Sequence, residues 1–189
     1  MFRKLISVFA ALLIMMSVTA CANTKPTTTT QPALATKADA DQIAAQVIRR
    51  INEYRATEGV CTAEQMEDCA AYTQYRSAQM AEKGRSDSNI QDMRQASTDL
   101  QYGTFFDPSR YGASGEPYYT VRGFEAACTA EAGTSDEVAK ALAGNFFDTK
   151  YEWACLGSDA YRYISVGVTE KDGKWYCCAL VSQNNLDEA

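Results

Sequence analysis

Apolar residues recur every three or four positions near the start of the folded region and form one stripe of a predicted helix. The stripe consists of Ile43, Ala44, Val47, Ile48, Ile51 and Tyr54. Asp41 is suited to cap the start of this helix, and Gly59 is suited to end it. A Thr-x-x-Gln capping box at Thr62 predicts that a second helix begins there and continues to Gly84.

Strand and turn patterns are clearest in the second half of the chain. Residues 117–124, PYYTVRGF, are rich in aromatic and β-branched side chains and predict a strand. The capping box TSDE at 134–137 predicts a third helix. Residues 161–183 contain two apolar runs around Asp172 and Gly173, a pair typical of a type I′ turn, and predict a β-hairpin.

The order of these elements indicates a fold class. Residues 85–115 show no regular apolar period and predict a loop, so the order is helix, helix, loop, strand, helix, hairpin. The strands are expected to pair in one sheet, and helices must bury their apolar stripes against its faces. The prediction is an α+β fold, a three-layer α-β-α sandwich with a central antiparallel sheet, over residues 41–189.

The first 40 residues are not expected to belong to that sandwich. A basic start, a run of about a dozen apolar residues and the sequence SVTAC resemble a bacterial lipoprotein signal at 1–20, too short to favour a membrane span. This resemblance implies cleavage before Cys21 and a lipid on its sulfur; the alternative is a secretory signal cleaved after Ala20. Residues 21–40 are rich in Thr and Pro and predict a disordered stalk.

The charge of the chain limits its partners. Without residues 1–20, which hold two basic residues and no acid, the chain keeps 16 basic and 24 acidic residues, a net charge of −8. Nucleic acid and electrostatic membrane binding are therefore excluded, because both need a basic surface. The expected location is extracytoplasmic, lipid-anchored to a bacterial cell membrane, with membrane contact through Cys21 only.

Beyond Cys21, six cysteines remain. They are Cys61, Cys69, Cys128, Cys155, Cys177 and Cys178. An even number in an exported chain predicts disulfides. The two adjacent cysteines point to opposite faces of a predicted strand, so each needs its own partner. We expect Cys128 and Cys155 as those partners, in either order, which leaves Cys61 with Cys69.

The last of these pairs depends on where the second helix starts. A helix that begins at Thr62 would hold Cys61 and Cys69 about 10 Å apart, whereas a disulfide needs Cα atoms within about 7 Å. The pair therefore requires a later helix start or a loop that folds back. A metal-thiolate site is the alternative, but the chain has no Cys-x-x-Cys motif and no histidine.

Four segments stand in a recognisable order along the chain. They are INEYRATEGV at 51–60, YTQYRSAQMAEKG at 72–84, GEP at 115–117 and the predicted hairpin at 161–183. In this order they resemble the first-helix signature, the second helix, the Gly-Glu-Asn motif and the closing strands of the CAP superfamily (cysteine-rich secretory proteins, antigen 5 and pathogenesis-related 1 proteins) in its bacterial form. The resemblance implies the same three-layer fold.

The resemblance also implies a cleft, at positions where family members carry two histidines and two acids that bind a divalent metal in some of them. Those positions are Asp87 and Glu152 for the histidines, and Glu116 and Thr149 for the acids. Only Glu116 keeps the family's residue type, so the usual zinc site is not carried over and no cofactor is expected. Together with Asp148, the acids would offer oxygen ligands suited to Ca²⁺ or Mg²⁺; otherwise they are solvated loop acids.

Covalent catalysis finds little support, since no histidine is present as a base for serine or cysteine. The favoured function is non-catalytic binding of a small molecule, glycan, peptide or lipid by a lipid-anchored CAP-like domain. One alternative is a CAP-like hydrolase or divalent-metal protein that uses the remaining acids. Another is a lipid or sterol carrier, as the resemblance implies for some members, and a third is a structural envelope protein.

Overall fold

Five α-helices and six strands make up the regular structure of the described residues of a computed structural model. Those residues are 33–67, 69–100, 107–111, 117–118 and 123–183, with the backbone alone described for 107–111 and 117–118. The helices are α1 (Ala40–Thr57), α2 (Ala70–Lys83), α3 (Ile90–Asp99), α4 (Ser135–Asp148) and α5 (Lys150–Leu156). The strands are β1 (Glu64–Gln65), β2 (Asp107–Tyr111), β3 (Pro117–Tyr118), β4 (Gly123–Glu131), β5 (Tyr163–Lys171) and β6 (Lys174–Ser182).

Four strands form the central sheet in the order β1-β5-β6-β4. Strand β6 lies between β5 and β4 and is antiparallel to both. The short β1 pairs in parallel with β5, Glu64 opposite Tyr163, so the sheet is mixed rather than wholly antiparallel. Strands β2 and β3 form a separate antiparallel pair. In this sheet β4 is an edge strand.

Helices cover both faces of the sheet. On one face, α1, α4 and α5 pack over residues of β6 that alternate along the strand: Trp175, Cys177, Ala179 and Val181. On the other face, α2 and α3 pack over the intervening residues: Tyr176, Cys178 and Leu180. This alternation is the two-residue period of a strand buried on both sides. The α+β, three-layer α-β-α prediction is therefore confirmed.

Local sequence signals located three elements correctly. Helix α1 begins one residue before the predicted cap Asp41, and Gly59 after its end has φ = 75°. The hairpin turn has positive φ at Asp172 (54°) and Gly173 (77°), as a type I′ turn requires. Thr134 and Glu137 form the predicted capping box at α4.

The predicted start of the second helix at Thr62 is wrong. Helix α2 begins at Ala70, and the chain before it forms β1. The backbone N–H groups of Glu64 and Met66 donate to carbonyls of the β5 region at 2.8 Å each. Asn52 of α1 also holds Ala63 by two hydrogen bonds, of 2.8 and 3.0 Å. Pairing with a distant strand thus overrides the local capping pattern.

The predicted loop at 85–115 contains a helix, α3. Its N-cap Asn89 accepts hydrogen bonds from the N–H groups of Gln91 and Asp92 at 3.0 and 3.3 Å. Met93 and Ala96 are its buried apolar side chains, too few to give the sequence a clear helical period. The strand predicted at 117–124 is strand at both of its described ends, Pro117–Tyr118 in β3 and from Gly123 in β4, which continues to Glu131. Residues 119–122 lie outside the described residues.

Helix α2 lies directly against β5 at Gly167. A Cβ atom at this position would come within 2.3 Å of the backbone of Thr73 and Gln74. Beside this point the hydroxyls of Thr73 and Ser165 are 3.1 Å apart. The absence of a side chain at Gly167 therefore determines how closely the α2 layer approaches the sheet.

The N-terminal part of the described chain is packed on the domain before α1 begins. The N–H of Ala35 donates to the carbonyl of Gly133 at 2.8 Å, and a short 3₁₀ helix spans Lys37–Asp39. The signal predicted at 1–20 and Cys21 lie outside the described residues. Within the described ranges, no helix combines the length and the apolar character needed to cross a membrane.

Candidate functional site

A buried ion pair links Arg76 of α2 to Glu125 of the edge strand β4. Both side chains have no exposed area. The Nη2 and Nε atoms of Arg76 donate to Glu125 Oε1 at 2.8 and 3.3 Å, and Nε also donates to Oε2 at 3.1 Å. The two planar groups therefore meet along an edge, the geometry in which a guanidinium binds a carboxylate most strongly.

The polar groups around this pair complete its hydrogen bonding. The Tyr72 hydroxyl donates to Glu125 Oε2 at 2.8 Å. Arg76 Nη2 donates to the carbonyl of Asp87 at 3.1 Å, and Nη1 donates to Gln79 Oε1 at 2.6 Å. Ser88 Oγ donates to the backbone carbonyl of Glu125 at 2.9 Å. The segment after α2 thus contacts the ion pair at two points, Asp87 through Arg76 and Ser88 through the backbone of Glu125.

Burial and the Glu125 charge set the protonation of the neighbours. Burial, and then the negative charge of Glu125, raise the pKa of the Tyr72 hydroxyl. Tyr72 therefore stays a neutral donor. Burial alone would lower the pKa of Arg76, but its hydrogen bonds and charge contact with Glu125 outweigh burial and raise it. Burial is also the main cause of the raised pKa of Cys178, which lies on the same face.

This arrangement restricts what Glu125 does chemically. Its two oxygens accept from Arg76 and Tyr72, so the carboxylate is already neutralised and hydrogen-bonded. To act as a base or as a metal ligand, the Glu125 carboxylate would first have to move away from Arg76, and the Arg76 cation would then stay buried without a partner. Leaving one partner of a buried pair uncompensated costs about 3–5 kcal/mol. The pair therefore favours a closed structural core over a reactive carboxylate.

Of the four predicted cleft positions, three are described, and they lie in two places. Asp87 lies beside the ion pair through its backbone carbonyl, while its carboxylate is 3.3 Å from Arg85 Nε and partly exposed. Thr149 is exposed, and its hydroxyl donates to the carbonyl of Asn145 at the end of α4. Glu152 is half-buried on α5, with Oε2 inaccessible to solvent and without a hydrogen-bond partner. Glu116 lies outside the described residues. Within the described part of the chain, no three or more His, Cys, Asp or Glu side chains form a group suited to a metal ion.

An aromatic pair joins the α5 side of these positions to β4. The rings of Phe124 and Tyr151 meet edge to face, with centroids 5.4 Å apart. Tyr151 is 69% exposed, one of two large apolar side chains so exposed among the described residues. Phe124 precedes Glu125 on β4, so the aromatic pair and the ion pair lie on opposite faces of one edge strand. We name Phe124, Thr149, Tyr151 and Glu152 the Tyr151 patch.

The first-helix signature has a structural role. Arg55 is fully buried and donates to four backbone carbonyls, those of Cys61, Leu156, Ser158 and Tyr161. These carbonyls belong to the loop after α1, to the last residue of α5 and to the loop after α5. Burial lowers the pKa of Arg55, and Asp159 opposes that shift. Arg55 of this signature therefore joins two loops to the end of α1 and is not a reactive group of the domain.

The structure shows no disulfide among the six cysteines after Cys21, so the predicted disulfides stay predictions. Cys177 and Cys178 do point to opposite faces, as expected. Helix α2 begins after Cys69, which meets the condition set for a Cys61–Cys69 pair, although Cys61 is exposed and Cys69 is buried.

Sequence reasoning missed the three central residues, Tyr72, Arg76 and Glu125. One signal was present in the chain. Tyr72 and Arg76 are four residues apart and so lie on one face of α2, together with the apolar residues that face the sheet. Glu125 stands among alanines in a short apolar run, where a charge is unexpected unless it is paired.

Comparison with known proteins gives matches in structure only. No protein-family model matches the sequence, and no curated protein matches it. An extracellular protein of Bacillus anthracis that contains an SCP domain matches with TM-score 0.53 and 13% identity, over 77% of this chain and 41% of that one. An outer surface protein of Borrelia burgdorferi matches with TM-score 0.51 and 9% identity, over 82% and 99%.

A third structure, a cysteine-rich secretory protein of Staphylococcus aureus, has TM-score 0.49 and 11% identity over 77% of this chain and 39% of its own. This chain therefore spans about two fifths of the length of the Staphylococcus and Bacillus proteins. At these identities the likeness concerns the fold. Of the two neighbours with TM-scores above 0.5, the Bacillus protein contains an SCP domain, and the described residues of this chain share its α+β fold.

Proposed function

We propose that the protein is a lipid-anchored, extracytoplasmic SCP/CAP-like domain that binds a ligand or partner protein without catalysing a reaction. The observation that carries the non-catalytic part is the saturation of Glu125 by Arg76 and Tyr72. General acid-base catalysis needs a group that gains and loses a proton within reach of substrate. The carboxylate of Glu125 instead has no exposed area and is held by the permanent cation of Arg76.

The Tyr151 patch is the proposed contact surface. Tyr151 is mostly exposed to solvent, and its ring packs edge to face against Phe124, which fixes its position. An aromatic face beside a carboxylate suits ligands that combine a flat apolar surface with hydrogen-bond donors, such as a glycan or a peptide side chain. Glycans and peptides are both among the partner classes expected from the sequence.

The location rests on two further supports. The Bacillus neighbour is described as extracellular and the Borrelia neighbour as an outer surface protein. In this chain the apolar run and SVTAC precede Cys21, the residue that would carry the lipid. The Thr- and Pro-rich segment that follows would separate the domain from the membrane.

We expect Tyr151→Ala to weaken binding of the ligand at least tenfold, a loss typical of a central aromatic contact. The full chain is screened against glycan, peptide and phospholipid-vesicle panels, and each hit is titrated with the variant. Leu34→Ala is the matched control, because Leu34 is 64% exposed but lies away from the patch residues in sequence. Equal affinity of the two variants contradicts the proposed surface, and recovery of the ligand with a changed mass contradicts non-catalytic binding.

We expect Cys21→Ala to move the protein from the membrane fraction to the soluble fraction of cells that express the full chain. The reason is that the lipid on Cys21 is the proposed membrane contact. Cys61→Ala is the control, since Cys61 is an exposed cysteine of the domain. Fractionation and immunoblotting of the wild type and the two variants measure the effect. Membrane retention of Cys21→Ala would show that the anchor is elsewhere.

A second candidate, a Ca²⁺ or Mg²⁺ protein, is favoured by one observation. Glu152 Oε2 is inaccessible to solvent and has no hydrogen-bond partner, which is unusual for a carboxylate oxygen. A hard cation would satisfy it. Thermal unfolding in the presence of divalent cations distinguishes this candidate from the first.

A further inference from the structure

Cys128 and Cys177 are directly opposite each other on neighbouring antiparallel strands. The register pairs Cys128 of β4 with Cys177 of β6. Directly opposed residues of an antiparallel pair have Cα atoms about 4.5 or 5.5 Å apart. Disulfides span Cα separations of about 4.4–6.8 Å. The two backbones are therefore at bridging distance without any movement of the sheet.

The two side chains also share one face and one environment. Both belong to the cluster packed under α1, α4 and α5. Cys177 is completely buried, and burial together with a hydrogen bond to the Cys128 side chain raises the pKa of its thiol. Cys128 is half-buried, and its thiol lies 3.5 Å from the carbonyl of Leu142. Cys128 is thus the more accessible thiol of the pair.

The same geometry separates Cys178 from this pair. Cys178 points to the α2 face, where it contacts Glu125, and so faces away from Cys128. Cys155 lies on α5, on the same side of the sheet as Cys177, but it has no strand register opposite Cys177. Of the partners left open by the sequence, Cys128 is the one that the strand pairing places against Cys177.

We propose that Cys128 and Cys177 are an oxidation site that forms a cross-strand disulfide with a disulfide compound as the oxidant. The Cys128 sulfur, having lost its proton, attacks one sulfur of the oxidant and releases the other as a thiol. The Cys177 sulfur then loses its proton and displaces the second thiol from Cys128. One S–S bond forms in the protein and one breaks in the oxidant, which takes up two electrons and two protons.

The disulfide would fasten the edge strand β4 to the centre of the sheet. Strand β4 carries Glu125 of the buried ion pair and Phe124 of the Tyr151 patch, on its two faces. Its one partner in the central sheet, as described, is β6. A covalent link at Cys128 therefore fixes the strand within four residues of both features. This role does not depend on the proposed ligand or anchor, because the chemistry needs only an oxidant and the native register.

Peptide mapping of the full chain, purified in detergent and incubated with oxidised glutathione, tests the proposal. After alkylation of free thiols and trypsin digestion without reductant, the linked pair is expected to join peptides 123–140 and 175–189, which cleavage after Arg122, Lys140 and Lys174 releases. Cys155 falls in peptide 151–162, so the alternative bridge has a different mass. Alkylated Cys128 after complete oxidation, or a bridge from 175–189 to 151–162, overturns the proposal.

Two variants separate the adjacent cysteines, which share one peptide. Cys178→Ala is expected to keep the bridge between 123–140 and 175–189, and Cys177→Ala is expected to abolish it. The opposite result assigns the bond to Cys178 and contradicts the register argument. Should Cys177→Ala fail to fold, the wild-type melting temperature decides: oxidation is expected to raise it by roughly 5–15 °C, reversed by reductant. No change in melting temperature together with unlinked peptides overturns the proposal.

Discussion

Replacing Arg76 with methionine is expected to lower the free energy of unfolding by about 3–5 kcal/mol, the cost of leaving one charge of a buried pair uncompensated. Methionine fills much of the space of the arginine stem but donates no hydrogen bond. Glu125 would keep Tyr72 and lose its cation in a position without exposed area. Urea denaturation, followed by circular dichroism, measures the loss. For a domain of ordinary stability this is a large fraction of the total.

The ion-pair explanation also predicts what restores stability. Arg76→Met combined with Glu125→Leu is expected to recover at least half of the loss, because the double variant removes both buried charges. Arg85→Met is the matched control, since the Arg85 side chain is 55% exposed and its ion pairs with Asp87 and Asp92 are long, at 3.3 and 3.9 Å. Its expected loss is within about 1 kcal/mol. If the double variant is no more stable than Arg76→Met, the pair is not the source of the effect.

Replacing Arg55 with leucine is also expected to lower the free energy of unfolding by about 3–5 kcal/mol. Four backbone carbonyls accept from the Arg55 guanidinium. A buried acceptor left unsatisfied costs about 1–3 kcal/mol, and water reaching the loop carbonyls offsets part of that sum. Arg55→Lys is expected to lose nearly as much, because an ammonium group cannot span the same acceptors.

Arg49→Leu is the control for Arg55, because both residues lie on α1. The Arg49 side chain is 54% exposed and binds Glu53 one turn along the same helix. Such a pair contributes about 0.3–0.5 kcal/mol. Hydrogen exchange gives an independent measurement for Arg55→Leu, which is expected to increase exchange at 61–63 and 156–161 before the strands. An equal increase in exchange over the whole domain of Arg55→Leu would contradict a role of Arg55 in joining these two loops.

Elements with strong local signals could be predicted from the sequence, and elements held by distant contacts could not. The Asp172-Gly173 turn and the Thr134 capping box act through their own backbone, so the residues themselves reveal them. The Thr62 pattern is equally strong locally, but the pairing of β1 with β5 decides the structure there. Helix α3 was hidden because it buries only a few small or flexible side chains.

The candidate site shows the same limit more sharply. Arg76 and Glu125 are 49 residues apart in the sequence, and nothing local to either residue identifies the other. An acid in a chain with 24 acidic residues is usually solvated, whereas Glu125 is buried because β4 places it under α2. The resemblance to the CAP superfamily gave the fold correctly. The cleft positions that it implied are divided in the described residues, because Asp87 lies beside the ion pair whereas Thr149 and Glu152 lie at α5.

The measurement that tests the central claim most directly is thermal unfolding of the full chain with Zn²⁺, Ca²⁺, Mg²⁺ or Mn²⁺. A cation at 100 times its Kd adds about 2.7 kcal/mol, which raises the melting temperature by several degrees for a domain of this size. We predict no shift with any of the four cations, since Arg76 already neutralises the buried carboxylate. A saturable shift with Ca²⁺ or Mg²⁺ that Glu152→Gln abolishes would contradict the account and establish a metal site on α5.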